Sequence, residues 1–226
     1  MLSIILPVLN EAEHIAASLT RLQALRADDV ELIVVDGGSS DDTVRLATPL
    51  ADRLVHAHRG RARQMNAGAA LAKGDILLFL HADTELPRDA LNAMQEVREG
   101  LASPAHAWGR FDVRIEGRSR MFVLIAALMN LRSRITGIAT GDQAIFVRRD
   151  AFNAVGGFPE QPLMEDIELS RLLKSRTKPL CLREKVTTSG RRWEKYGIWR
   201  TIVLMWRLRL LYWMGIPAER LAKAYR

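Results

Sequence analysis

Four short apolar runs, Ser3–Leu9, Glu31–Val35, Arg53–His56 and Asp75–Leu80, alternate with longer mixed segments at Ala12–Leu25, Asp41–Leu50 and Arg61–Ala72. The longer segments repeat apolar residues at helical spacing, whereas the short runs are apolar almost without interruption. A strand that is apolar on both faces must be covered on both faces, which a parallel sheet between layers of helices provides. The spacing therefore predicts βαβ units and an α/β domain with a mostly parallel central sheet flanked by helices. Ligands of such sheets collect outside the C-terminal ends of the strands. From about Ala107 the pattern is less regular. It predicts a strand at Trp108–Ile115, an apolar helix at Met121–Leu131, a strand at Gln143–Val147 and a helix at Glu165–Ser175.

With 226 residues, 48% of them hydrophobic, the chain can bury a full core. Cys181, the only cysteine, has no partner for a disulfide and no local His or Cys for a zinc site, so a reducing, cytoplasmic setting is expected. The opening MLSIILPVLNEAEH has no basic leader, and acidic residues follow its apolar run at once; it reads as a buried strand rather than a secretory signal. The net charge of +7 is unevenly placed. From Ser189 onward nine Lys or Arg stand against two Asp or Glu, so the tail carries the whole excess and the first 188 residues balance. A phosphate-tracking surface needs its basic stripe on the domain itself, so no nucleic-acid partner is expected.

The polar residues that follow the apolar runs are the candidates for chemistry. The first run ends in Pro7-Val8-Leu9-Asn10-Glu11, the second in Asp36-Gly37-Gly38-Ser39-Ser40-Asp41-Asp42-Thr43, the fourth in His81-Ala82-Asp83-Thr84. Asp36 is placed to accept hydrogen bonds from a base or ribose, and its two glycines permit a tight turn. Ser40 and Asp41 read as helix caps. Asp83 emerges from the most apolar run, at mid-rim, where Mg²⁺ or Mn²⁺ could bind through one carboxylate plus substrate phosphates. Thr84 or Glu85 is the expected cap of a helix beginning near Pro87. Arg59–Gly68 leads basic residues into a helix N-terminus, a place for a diphosphate or simply a solvated loop. Glu165-Asp166 opens a helix, where an acidic residue can complement the dipole or deprotonate a hydroxyl.

Taken in order, Ile4–Glu11, Val34–Thr43, Asn66-Ala67-Gly68, Leu80–Thr84 and Met164-Glu165-Asp166 resemble the family 2 glycosyltransferases, which have the GT-A fold. The likeness runs to about Trp193. It implies an inverting transfer of sugar from a nucleotide-diphosphate donor, UDP- or GDP-type, to a hydroxyl acceptor. It also implies that Pro7, Asn10, Glu11 and Asp36 hold the nucleoside, that Asp83 holds the metal, and that Asp166, with Glu165 beside it, supplies the base. Arg63, Asn66, His81 and Arg192 complete the expected donor site. Two departures stand out. His81-Ala82-Asp83 replaces the family's Asp-x-Asp, and only Arg192-Trp193 remains of the Gln-x-x-Arg-Trp of processive members, so a single sugar is expected per acceptor. Gly60–Asn66 and Gly141-Asp142-Gln143 look like a bacterial subgroup named for arsenosugar biosynthesis. The rival readings are a nucleotidyltransferase, a dehydrogenase, which would need a Gly-x-Gly-x-x-Gly after the first strand, and a catalytically idle adaptor.

These readings divide the chain into a GT-A domain at 1–190, with a nucleotide-binding half at 1–106 and an acceptor-binding half at 107–190, and a helical tail at 191–226. In the tail, Tyr196, Trp199, Val203, Trp206, Leu210 and Trp213 follow one helical stripe, interrupted by Arg200, Arg207 and Arg209. Each charge at bilayer depth costs roughly 2.5 kcal/mol or more, which argues against a spanning helix. Such an amphipathic helix can pack on its own domain, pair in a homodimer, or lie peripherally on the inner membrane face, and the first two are the plainer readings.

Overall fold

The computed structural model describes residues 1–225, apart from the side chain of Asp28, and draws eight strands into one sheet. In chain order these are β1 (Leu2–Val8), β2 (Val30–Asp36), β3 (Arg53–His56), β4 (Ile76–Phe79), β5 (Thr84–Glu85), β6 (Trp108–Glu116), β7 (Phe146–Arg148) and β8 (Leu180–Ser189). The sheet order is β3-β2-β1-β4-β7-β6-β8-β5. β3, β2, β1 and β4 are mutually parallel, β7 is antiparallel to both β4 and β6, β6 and β8 are parallel, and β5 closes the edge antiparallel to β8.

The unbroken apolar strands behave as their composition requires. Leu2, Ile4, Leu6 and Val8 of β1 face one core together with α1 (Ile15–Leu22), α4 (Ala90–Ala102) and α5 (Met121–Thr136). Ile5, Ile33, Val35, Leu77 and Phe79 face a second core with α3 (Arg61–Leu71), α6 (Arg149–Ala154) and α7 (Glu165–Lys174). Each fully buried aliphatic side chain contributes about 1.5–3 kcal/mol, so both helix layers are held by the same strands. α3 lies against β1 and β2 because Gly68 has no side chain: a Cβ there would meet Ile5 Cγ2 at 2.5 Å and Val35 Cγ2 at 3.0 Å.

Several expected boundaries shift, each for a local reason. The helix expected at Ala12–Leu25 begins only at Ile15, since the Glu11 carbonyl takes both the His14 and Ile15 N–H groups in a turn. It continues as a 3₁₀ segment to Asp28. The Asp41–Leu50 helix is confined to α2 (Thr43–Ala47), because Pro49 lacks an N–H and the chain tightens to 3₁₀ over Thr48–Leu50. Ser40 is not a cap; Asp41 accepts the Thr43 N–H at 3.0 Å while also holding the Ala12 N–H. Thr84 and Glu85 do not cap the next helix but form β5, and Asp89 caps α4 through the Asn92 N–H. The strand expected from Gln143 starts at Phe146, after a 3₁₀ turn at Gly141–Gln143 and a left-handed Ala144.

The tail forms three helices rather than one: α8 (Arg191–Tyr196), α9 (Ile198–Trp213) and α10 (Ala218–Tyr225). Gly197 (φ 87°) and Gly215 (φ 86°) break it, so Tyr196 does not belong to the stripe on α9. Arg226, the last residue of the expected tail, lies outside the described residues. No described helix is long and apolar enough to cross a membrane. Leu204, Leu208, Leu211 and Tyr212 of α9 pack on Leu163, Met164 and α10, forming a third, smaller apolar cluster.

Filling the space at Gly68 tests the close approach of α3. Gly68→Val is expected to lower the free energy of unfolding by roughly 1–3 kcal/mol through overpacking, read by urea denaturation.

Candidate functional site

Parallel pairing sets Val8 beside Asp36 and Ile5 beside Phe79, so the loops after β1, β2 and β4 open on one rim. A cleft of about 350 Å³ lies there, lined by Pro7, Glu11, Arg59, Arg61, Gln64, His81, Asp83, Leu163, Glu165 and Tyr225, among others. Its floor is set by Gln64, which is buried and donates to the Val8 and Val35 carbonyls at 2.8 Å each, tying α3 to both strand ends.

Of the residues expected at the site, Pro7, Glu11, His81, Asp83 and Glu165 line this cleft together. Asn10 and Asp36 are not among its lining residues, and their polar groups hold the loops after β1 and β2. Asn10, at φ 55°, accepts the Ser40 N–H and donates its own N–H to Ser39 Oγ. Asp36 is almost fully buried and accepts from the Gly38 and Ser39 N–H groups, with His56 Nδ1 at 3.3 Å. Burial alone would raise its pKa, but these hydrogen bonds outweigh it and hold the carboxyl below its usual value. Arg63 and Asn66 point elsewhere. Arg63 pairs with Glu160 on the surface, and Asn66 brackets Phe158 by accepting its N–H and donating to its carbonyl. Arg192 stacks on the Tyr225 ring, 3.8 Å from its centroid, so it reaches the cleft only through that tyrosine.

The electrostatics of the cleft are mixed. Burial, then the charge of Asp83, raises the pKa of Glu11. Burial, then the charge of Asp166, raises that of Glu165, and burial raises Asp166 despite hydrogen bonds from the Gly141 N–H (2.9 Å) and the Ile167 N–H (2.7 Å). Arg61 faces this cluster; burial opposes its charge, but Glu165, Tyr225, Asp142 and Asp166 together hold its pKa above the usual arginine value. His81 packs closely against Gly141, where a Cβ would come within 2.4 Å of its ring, and its Nδ1 lies 3.7 Å from Asp142. Arg132 Nε and Nη2 are buried without a hydrogen-bond partner among the described residues.

Arg61 is the basic residue of the Arg59–Gly68 segment that the sequence alone does not single out. Helical phase identifies it: Arg61, Gln64 and Gly68 share the face of α3 turned to the strand ends, and Arg63 falls off that face. Tyr225 carries no such signal, because it arrives through the fold-back of α10.

A divalent cation fits the donor set only in part-protein form. No group of three or more His, Cys, Asp or Glu among the described residues is close enough to cage an ion. Asp83, with Glu11 near it in the same cleft, offers hard oxygens of the kind Mg²⁺ and Mn²⁺ use when phosphates and waters complete the shell. A larger hollow of about 570 Å³ lies at the opposite end of β1–β3. There Arg26 pairs with Asp52 and Glu31 accepts from Ser3 and Gly74, and the hollow is at the wrong strand ends for a ligand of a parallel sheet.

A parallel sheet continued antiparallel through β7, with carboxylates at its C-terminal rim, is a GT-A type α/β fold. Solved structures share it: glucosyl-3-phosphoglycerate synthase from Mycobacterium tuberculosis, in complex with Mn²⁺, UDP and phosphoglyceric acid, matches with a TM-score of 0.67 at 23% identity, covering 96% of this chain and 79% of that one. A mannosyltransferase from Pyrobaculum calidifontis, in complex with GDP-Man and Mn²⁺, matches with a TM-score of 0.65 at 21% identity, covering 82% and 56%. Residues 3–155 match Glycosyl transferase family 2, and the chain belongs to that family. A PGL/p-HBAD biosynthesis glycosyltransferase of Mycobacterium bovis is 43% identical over 94 residues, 38% of this chain and 36% of the relative. The poly-beta-1,6-N-acetyl-D-glucosamine synthase of Staphylococcus aureus is 30% identical over 95 residues, 39% of this chain and 23% of the relative. The matched stretch thus spans about a third or less of these curated relatives.

Because the folded-state pKa of Glu165 is raised, its carboxyl favours the fold when protonated, and that contribution is lost as pH rises through the folded pKa. Glu165→Gln is therefore expected to raise the thermal midpoint at neutral pH, with the gain closing as pH falls below the ordinary value of 4.5. Differential scanning fluorimetry across pH reads this; a gain independent of pH contradicts it.

Proposed function

We propose that the cleft binds a nucleotide-diphosphate sugar and that the chain transfers one sugar, with inversion, to a hydroxyl acceptor. The observation that carries this reading is the meeting of Glu11, Asp83, Arg61 and Glu165 at one parallel-strand rim in a family 2 glycosyltransferase fold. The structural neighbours solved with UDP or GDP-Man and Mn²⁺ or Mg²⁺ support the donor class. On this reading residues 1–106 hold the donor and 107–190 the acceptor.

Pro7 and Glu11 border the nucleoside, while Asp36 and Asn10 act by holding the loops that shape its pocket. Arg61, a guanidinium beside the rim, offers charge-assisted hydrogen bonds to the diphosphate. Asp83 is the residue that would hold Mg²⁺ or Mn²⁺, with Glu11 in the same cleft, and the bound ion would supply stabilisation of the negative charge developing on the leaving diphosphate. His81, packed on Gly141, buttresses the loop that bonds Asp166 rather than replacing the missing carboxylate.

Transfer by inversion needs one displacement: the acceptor oxygen bonds to the anomeric carbon as the bond to the diphosphate oxygen breaks, and the hydroxyl proton goes to a base. Asp166 fills that role, its raised pKa bringing it nearer to a hydroxyl's needs than an ordinary carboxylate. Glu165 is the second candidate because it, not Asp166, lines the cleft. The likeness to the subgroup named for arsenosugar biosynthesis assigns no substrate.

Nucleoside-diphosphate release from a panel of UDP- and GDP-sugars, with and without Mn²⁺, tests the proposal. Turnover is expected to require the cation and to be lost in Asp83→Ala, and no turnover or binding of any donor overturns it in favour of an idle adaptor. Asp166→Asn is expected to abolish transfer with donor binding near normal, whereas loss in Glu165→Gln alone moves the base to Glu165. With Asp166 raised, the acid limb of kcat/KM is expected above the ordinary aspartate value of 3.8, activity rising with pH.

A further inference from the structure

The face of α9 turned away from the domain is unpartnered among the described residues. Trp199, Val203, Trp206, Leu210 and Trp213 are between 55% and 84% exposed, so of the three readings open to this stripe, packing on its own domain is the one the structure does not show. At 3.6 residues per turn they fall on one side of the helix, opposite Leu204, Leu208 and Tyr212, which are the residues that pack inward. Arg200 and Arg207 flank the stripe on one shoulder and Arg209 on the other. Contiguous exposed apolar surface of this kind marks a binding face.

Charge says what covers it. The tail holds the entire +7 of the chain, on the same segment as the tryptophans. A second copy paired through this stripe would set like patches against each other, as two-fold symmetry requires, and bring arginine against arginine. An anionic surface meets the same patch with opposite charge, and Trp on an apolar face with Arg on its shoulders is the side-chain set of a helix lying in a lipid headgroup layer. A further apolar stripe on α5, at Leu124, Leu128, Leu131 and Ile135, has arginines of another kind on its shoulders: Arg134 is tied to Asp112 and to the Cys181 carbonyl, and the Nε and Nη2 of Arg132 are buried away from the surface.

We infer that α9 docks the protein peripherally on an anionic lipid surface, with Trp199, Trp206 and Trp213 in the headgroup layer and Arg200 and Arg207 at lipid phosphates. The helix lies in the plane of the membrane rather than across it. Since its inner face packs on Leu163 and Met164, and Leu163 lines the cleft, docking sets the candidate site beside the lipid surface. The inference does not depend on glycosyl transfer.

Co-sedimentation of the full chain with phosphatidylcholine vesicles, with and without phosphatidylglycerol, tests it, alongside tryptophan emission and sedimentation velocity. Binding is expected only with phosphatidylglycerol, accompanied by a blue shift. Arg200→Gln with Arg207→Gln is expected to weaken it by roughly fivefold per charge, and Trp199→Ser with Trp206→Ser by on the order of tenfold or more. These positions are exposed, so unchanged far-UV circular dichroism and unchanged donor turnover are expected in both variants. Absence of vesicle binding, equal binding to neutral vesicles, or a dimer in solution that the Trp→Ser variant dissociates overturns the inference. Because vesicle binding is read without substrate, its failure is separate from any failure of the transferase reading.

Discussion

Everything at the rim depends on β1 lying in parallel register between β2 and β4. Parallel neighbours end on the same side, so pairing Val8 with Asp36 and Ile5 with Phe79 delivers three loops to one place. The register is in turn fixed by burial. Leu2, Ile4, Leu6 and Val8 serve one core and Ile5 the other, and a slip of one residue would exchange the faces. Gln64 then locks the arrangement from above by spending its amide on the carbonyls of Val8 and Val35. The cleft is a consequence of sheet packing, and its carboxylates are carried there by strands that have no choice of position.

How much of this is legible in sequence follows from where the signals are local. Short apolar runs identify β1, β2 and β4, the Leu54-Val55 pair marks β3, and the polar residues within three positions of the first and fourth runs include the rim groups Glu11 and Asp83. β8 escapes, because a half-buried run such as Leu180–Ser189 carries Arg183, Glu184 and Lys185 on its surface. Asp36 shows a different limit. Its position at a strand end is readable, but its oxygens turn back onto Gly38 and Ser39, and no spacing rule reports that competition. Asn66 is similar, its amide satisfied by Phe158 at a separation of 92 residues. The choice of Arg61 over Arg63 is readable only once the phase of α3 is known, and Tyr225 depends on two glycine breaks and a fold-back.

The end of β2 and the start of α7 carry different kinds of acidity. Asp36 is held ionised by N–H donors, as befits a residue that stiffens a loop. Glu165 and Asp166 sit where burial favours the proton, aided by the charge of Asp166 on Glu165 and of Asp142 on Asp166. Groups pushed in that direction reduce stability at neutral pH, a strain that structural residues seldom carry and that proton-transfer sites commonly do. The tail extends the contrast. Its inner face completes the wall of the cleft through Leu163 and Tyr225, while its outer face remains apolar, basic and exposed.

The most direct test of the central claim is a crystal structure of the chain soaked with UDP or GDP and Mn²⁺. Density for the diphosphate is expected in the cleft bounded by Pro7, Glu11, Arg61 and Asp83, with the cation in contact with Asp83. Density confined to the hollow at the opposite strand ends, or a nucleotide bound with Asp83 and Arg61 both remote from its phosphates, would contradict it.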